Sequence, residues 1–229
     1  MRLYLQYLIV ALLVACMTFA TVPALDLWVS ELFFDPARGG FWLAQNSVAW
    51  TIRRVLMNAM ILFPIVALAF LLLNLWKRNL AGVTPRVWGR IVLLFVLGPG
   101  ILVNAILKNH WGRARPAYVE EFGGTSTFTP PFQITDQCLR NCSFVSGEGA
   151  GAVAAAIGIF ALTATMKNQE RAKRWRIFAV CFAIVGSSMR VAMGRHFISD
   201  TIFSALFILL LAYAIDAVME RRSKSTLVV

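Results

Sequence analysis

Charge is scarce in this chain: 14% of its 229 residues are Asp, Glu, Lys or Arg, 59% are hydrophobic, and the mean hydropathy is +0.71. That excludes an ordinary soluble domain, because several apolar runs approach the length that crosses a bilayer. Acid is scarcer than base, 11 residues against 22. The formal charge of +11 does not imply nucleic acid, since the Lys and Arg residues fall in short clusters between apolar runs and not on a basic domain. Histidine occurs twice, too rarely to give an independent metal cluster. No internal repeat or low-complexity tract stands out.

What is present is a succession of apolar runs, at roughly 3–24, 55–76, 91–107, 149–166, 177–193 and 198–219. The expectation is an all-α polytopic membrane protein with six transmembrane helices, forming one domain over 1–229. Basic connections tend to stay cytoplasmic. Arg2, then Lys77, Arg78, Arg86 and Arg90, then Lys167, Arg171, Lys173, Arg174 and Arg176, and finally Arg221, Arg222 and Lys224 fall on one side. That side, with both termini, is expected in the cytoplasm. The opposite side receives 25–54, 108–148 and a tight turn near Gly194, and its basic residues need a reason other than topology. "LVAC" at Leu13–Cys16 resembles a lipobox, but the apolar run continues past Cys16, which favours an uncleaved first helix.

Of the four cysteines, Cys16 and Cys181 fall inside spans and read as apolar packing. Cys138 and Cys142, in "CLRNC", lie on the extracytoplasmic side, where disulfides persist. A small clip is expected there, with two free thiols on a helix as the alternative. The aromatic, Gly- and Pro-containing segment 26–54 reads as a membrane-surface anchor without chemistry. The polar connection 116–145 suits a lid.

Three short stretches concentrate chemistry. Lys108 and Arg115, at the end of the third span, are seven residues apart, so a continuing helix returns them to within about 20° of one face, able to grip one ligand. Arg113 points elsewhere on that helix. Interfacial snorkelling explains the same residues without chemistry. Ser146 and Gly147 stand where the fourth helix begins, and a helix N-terminus with glycine admits an anion. Alternatively, Ser146 is a plain N-cap and Glu148 a first-turn acid. In "MRVAMGRHFISD", Arg190 ends the fifth span, and Asp200 lies four residues beyond His196. That spacing lets a carboxylate hold one imidazole nitrogen while the other attacks an electrophile.

Together, these three parts resemble the signature of the type 2 phosphatidic acid phosphatase superfamily over roughly 108–200. The resemblance implies a six-helix bundle acting as a metal-independent phosphoric-ester hydrolase without cofactor. It further implies that Lys108, Arg115 and Arg190 cradle phosphate, that Ser146 and Gly147 complete the cradle, that His196 attacks phosphorus, and that Asp200 orients His196. The chain departs from the family at Glu148, where a histidine is usual, and at Met189, where a serine is usual. Glu148 is read as the replacement acid that protonates the leaving oxygen, with the alternative that it only caps a helix and water supplies the proton.

The stretch "CLRNCSFVSGEGA" resembles a bacterial subgroup that includes lipid A phosphatases. That implies removal of the 1- or 4'-phosphate of lipid A at the periplasmic face of the inner membrane, with Arg113 and Arg140 meeting a second anionic group. Undecaprenyl diphosphate, another lipid phosphate, or phosphate transfer between lipids fits the same features. A lipid-binding or transport protein without covalent chemistry is the alternative of another class. The membrane lipid phosphate and the bilayer are the expected partners, and no obligate protein partner is inferred.

Overall fold

The computed structural model describes residues 2–76 and 82–225; Lys77 and Arg78 lie outside the described residues. Helix α1 runs Arg2–Thr21, α2 Leu25–Glu31, α3 Ser47–Trp76, α4 Pro85–His110, α5 Gly147–Thr163, α6 Gln169–Ala192 and α7 Ile198–Ser225. Among the described residues α1, α3, α4, α6 and α7 are long and apolar enough to cross a membrane, and α5 is a shorter apolar helix of 17 residues. These six match the six expected spans, and the chain is an all-α, multi-pass membrane protein. α1 continues through Cys16 without a break.

Several helices outrun their hydropathy. α3 begins at Ser47 and α6 at Gln169, about two turns before the apolar runs at 55 and 177. Hydropathy registers only the part immersed in hydrocarbon, whereas a helix continues as far as its residues and caps allow. The Asn168 side chain accepts from the N–H of Arg171 at 2.9 Å and so starts α6 well outside the apolar stretch.

α5 is central because it is thin. Gly149, Ala150, Gly151, Ala152, Ala154, Ala155 and Gly158 are all buried, so neighbouring helices approach its backbone closely. Met60 of α3 packs on Gly151, and Gly186 of α6 meets Ala152. α4 winds as a π-helix over Val96–Leu107, around Pro99, which has no N–H to give. The Asn104 amide donates to the Pro99 carbonyl at 2.7 Å, satisfying an oxygen of that unusual turn. Apolar side chains on the outer faces of α1 and α3, among them Leu13, Met17, Leu62 and Leu72, are exposed, as suits surfaces that meet lipid.

The described residues form two cores. One lies within the bundle and includes Ile91, Leu94, Val103, Phe144, Phe203 and Ile208. The other joins the connections at one end into a cap: Phe41, Ala114, Val119, Phe122 and Phe197, with Phe34 and Phe128 packed on them. The segment 26–54 enters this cap through α2 and a two-stranded hairpin pairing Phe34 with Phe41 and Asp35 with Gly40. It is therefore built into the fold and is not a surface anchor. The connection 116–145 is pinned as well: Trp111 Nε1 donates to the Pro131 carbonyl at 2.7 Å, and the Thr135 N–H donates to the Trp111 carbonyl at 3.1 Å.

Candidate active site

The third-helix expectation fails in an instructive way. Helix α4 stops at His110, so Lys108 and Arg115 do not share a helical face. Gly112 adopts φ +70°, and a Cβ there would strike the Thr135 carbonyl. Only glycine permits that turn at that spacing. Beyond it the chain extends, Arg113 turns inward, and Arg115 returns beside Lys108. A second left-handed glycine, Gly194 at φ +64°, reverses the chain between α6 and α7 against the Phe41 ring. There the N–H groups of Arg195 and His196 both donate to the Arg190 carbonyl, at 3.0 and 3.2 Å, which fixes His196 next to Arg190.

These turns close a cavity of about 590 Å³. Its polar end is lined by Lys108, Arg115, Gly147, Glu148, Arg190 and His196, joined by Arg53, Asn104, Asn141 and Arg195. Its other end, between α3 and α4, is lined by Met57, Met60, Ile61, Pro64, Ile65, Phe95 and Pro99. Five cations thus face one acid, with an apolar extension into the bundle.

His196 is 2% exposed, and its Nδ1 lies 2.7 Å from the Ser143 carbonyl. A carbonyl only accepts, so Nδ1 carries the proton and Nε2 keeps its lone pair. Burial pushes the ring's pKa down to about 3, with Lys108 and Arg190 acting in the same direction and Asp200 against them. Asp200 is 3.6 Å from Nδ1, too far for a hydrogen bond. It acts one step removed: its Oδ2 accepts from Ser143 Oγ at 2.5 Å and from the Phe197 N–H at 2.9 Å. The second contact is the reciprocal half of a capping box, with Phe197 at the N-cap of α7 and Asp200 at its third helical position. Asp200 therefore holds the residue whose carbonyl holds His196.

The phosphate-binding candidates are prepared differently. Lys108 Nζ donates one hydrogen to the Cys142 carbonyl at 2.9 Å, leaving two. Arg115 Nη2 donates to the Asn141 carbonyl at 2.6 Å. Burial lowers the Arg115 pKa without removing its charge. Cys138 and Cys142 are joined in a disulfide, so a covalently closed loop supplies both carbonyls. Arg190 is 5% exposed, and its Nε and Nη1 make no hydrogen bond with the described residues. Ser146 caps α5, its Oγ accepting from the Gly149 N–H at 3.1 Å, and only its neighbour Gly147 lines the cavity. A Cβ at Gly147 would press on Asn104 Oδ1 at 3.0 Å, so glycine keeps that wall close to Asn104 and Lys108.

Two sequence expectations need correction, and a third residue has partners that the sequence did not suggest. Arg113 is fully buried: Nη2 donates to Asp26 Oδ2 at 2.8 Å, Nη1 to Asp200 Oδ1 at 2.7 Å and to Ser199 Oγ at 2.9 Å, and Nε to the Thr129 carbonyl at 2.9 Å. Saturated in this way, it has little left for a second anionic group. Arg140 is exposed on the disulfide loop, away from the cavity lining. Glu148 Oε1 accepts from Arg53 Nη2 at 2.6 Å and Nε at 3.2 Å and lies 3.3 Å from Arg190 Nε. Its Oε1 is thus committed to two guanidinium groups, an arrangement that the first-turn reading of Glu148 did not anticipate.

Sequence reasoning passed over Arg53, Arg195, Asp26 and Ser143. Arg53 and Arg195 did carry a signal, since both lie on the side where the positive-inside tendency gives no reason for a cation. Asp26 and Ser143 carried none.

A family model described as "PAP2 superfamily" matches residues 88–224. The chain belongs to the PAP2 superfamily. It is 34% identical over 167 residues to a lipid A 4'-phosphatase of Francisella tularensis subsp. novicida, covering 72% of each chain. It is 28% identical over 218 residues to a lipid A 4'-phosphatase of Rhizobium leguminosarum, covering 88% of this chain and 90% of that one. The transmembrane PAP2-type phosphatidylglycerolphosphate phosphatase of Bacillus subtilis superposes with a TM-score of 0.58 at 18% identity, over 93% of this chain and 96% of that one, and shows the same fold. The chain is a lipid phosphatase, a phosphoric-ester hydrolase of the membrane.

Proposed function

We propose that this phosphatase removes the phosphate at the 4'-position of lipid A, at the periplasmic face of a bacterial inner membrane, through a phosphohistidine on His196. The observation that carries the chemistry is the 2.7 Å contact from His196 Nδ1 to the Ser143 carbonyl, in a ring that lines a cavity with five cations. The lone pair of Nε2 forms a bond to phosphorus as the bond from phosphorus to the lipid oxygen breaks. Nδ1 keeps its proton, and the ring becomes cationic. Lys108, Arg115 and Arg190 hold the phosphoryl oxygens, where fixed donors in a dry site are most effective. The leaving oxygen takes its proton from water, and Glu148 with Arg53 positions Arg190 instead of supplying an acid. Water then attacks phosphorus, the N–P bond breaks with its electron pair returning to Nε2, and orthophosphate leaves.

The similarity to three lipid A 4'-phosphatases supports lipid A as the substrate. The apolar end of the cavity, from Met57 to Pro99, supports a substrate whose acyl chains stay in the bilayer. The test is mass spectrometry of lipid A and undecaprenyl phosphates from cells with the active chain and with His196→Ala. Loss of one phosphate from lipid A only with the active chain is the expected result, and an unchanged lipid A with altered undecaprenyl phosphates would move the substrate. Orientation is tested by single-cysteine labelling in intact cells: an impermeant reagent should reach position 126 and not 173.

A further inference from the structure

Behind His196 lies a charge cluster that the displacement chemistry does not use directly. Asp26, Arg113, Ser199 and Asp200 are all fully buried and come from α2, the connection after α4, and the start of α7. Its hydrogens can be assigned. Ser199 Oγ accepts from Arg113 Nη1, so its own hydrogen goes to Asp26 Oδ2 at 2.6 Å. Asp26 Oδ1 accepts from the Ser199 N–H at 2.9 Å, and Oδ2 also accepts from Arg113. Every partner of Asp26 donates, which is the pattern of a carboxylate. Burial pushes the Asp26 carboxyl up, and Arg113 opposes that. With one guanidinium between two carboxylates, the cluster carries one negative charge more than it neutralises.

We propose that Asp26 is a positioning residue for phosphoryl transfer: by sharing Arg113 with Asp200 it leaves the two carboxylates one positive charge short until the His196 ring turns cationic. In the resting site His196 is neutral and the excess charge has no close counterpart on the ring. When Nε2 bonds to phosphorus, the imidazolium lies 3.6 Å from Asp200 and the buried charge is balanced. The cluster therefore favours the phosphoenzyme and the transition state leading to it over the free enzyme, which is the condition for accelerating a step. Without Asp26, Arg113 would neutralise Asp200 alone, and that preference would disappear while the ring kept its hydrogen bond to Ser143.

The inference rests on His196 as nucleophile, and its test separates the two. Full-length protein in detergent is given lipid A labelled in its phosphate, and the phosphorylated protein is trapped in alkali; affinity for inorganic phosphate is measured in parallel. Native protein should form phosphohistidine, and Asp26→Asn should form it on the order of ten- to a hundredfold more slowly, the usual cost of losing a supporting group. Its KM and its affinity for inorganic phosphate should stay within about twofold, because Asp26 lines no part of the cavity. Asp26→Glu, which keeps the charge, should recover most of the rate. No phosphohistidine in the native protein would overturn the nucleophile assignment and this inference with it. Native phosphohistidine with an undiminished rate in Asp26→Asn overturns this inference alone. So does an equal loss of rate and affinity for inorganic phosphate, which would mark Asp26 as structural. If Asp26→Asn fails to accumulate, Asp26→Glu carries the test: a folded Glu variant as slow as Asp200→Asn overturns the charge argument.

Discussion

Arg113 lies between Asp26 and Asp200 with none of its side chain exposed, whereas Arg53 and Arg190 share Glu148, with the Arg53 and Glu148 side chains still 19% and 17% exposed. Both clusters join arginine to carboxylate beside His196, but they differ in saturation. Every nitrogen of Arg113 has an acceptor, while Arg190 Nε has only the 3.3 Å ion pair with Glu148 and Nη1 has no hydrogen-bond partner among the described residues. Buried donors without partners are costly, so a site that retains them in a cationic cavity is organised for an anion. On the proposed function, the saturated cluster fixes geometry and charge, and the unsaturated one receives the phosphate.

The largest effects should follow from the residues between the clusters. His196→Ala should abolish both phosphoenzyme and turnover. Asp200→Asn should lower turnover by about 10²–10⁴, as when the carboxylate of a histidine-based triad is neutralised. Phosphohistidine at native rates in Asp200→Asn would break the link from Asp200 through Ser143 to the ring.

The two arginines should then part company. Arg113→Ala strips the counter-ion from two buried carboxylates, and breaking such a group costs about 3–5 kcal/mol, visible as a large fall in thermal midpoint in detergent. Arg53→Ala removes an ion pair that water still reaches, worth about 1 kcal/mol or less in stability. Its effect belongs in KM, roughly ten- to a hundredfold, for loss of a charge-assisted contact and of support for Arg190. A stable Arg113→Ala together with an unfolding Arg53→Ala would reverse the assignment. Glu148→Gln sharpens the same point. It should slow alkyl and aryl phosphates equally and weaken phosphate binding, because its partners are arginines. A selective loss on the alkyl substrate would restore the acid role.

How much of this was legible in the chain depends on range. Lys108, Arg115, Arg190, His196 and Gly147 line one cavity because short-range chemistry, namely two glycine turns, an N-cap and a capping box, controls where each side chain goes. Asp26 reaches Ser199 across 173 residues, and Arg53 reaches Glu148 across 95. No periodicity encodes such contacts, which form only when α2 and α3 pack against the bundle. The helical-face argument for Lys108 and Arg115 reached the right pair by the wrong geometry, because it ignored Gly112 between them.

Reduction of the Cys138–Cys142 disulfide should have a smaller effect. The closed loop is short, so its constraint on the unfolded chain is worth only about 2 kcal/mol. Its carbonyls at Asn141 and Cys142 hold Arg115 and Lys108, so KM should rise by several-fold while the phosphoenzyme still forms. Unchanged KM in fully reduced protein would free the loop from the phosphate site.

The smallest effect concerns pH, where the saturated side predicts that the nucleophile does not titrate in the working range. Burial disfavours the charged imidazole, Lys108 and Arg190 disfavour it further, and His196 is pushed down to about 3 instead of the ordinary value near 6.5. The sign is therefore that of a neutral ring: it stays unprotonated through the mildly acidic range, and acid there does not remove the nucleophile. The substrate's phosphate does change there, since a phosphomonoester dianion takes up a proton at its second pKa, about 6. A fall in kcat/KM on the acid side should accordingly follow the substrate, moving when a phosphomonoester of different second pKa is used. A limb that stays near 6.5 for every substrate would return the titration to His196 and show that the site is wetter than the Ser143 and Asp200 contacts imply.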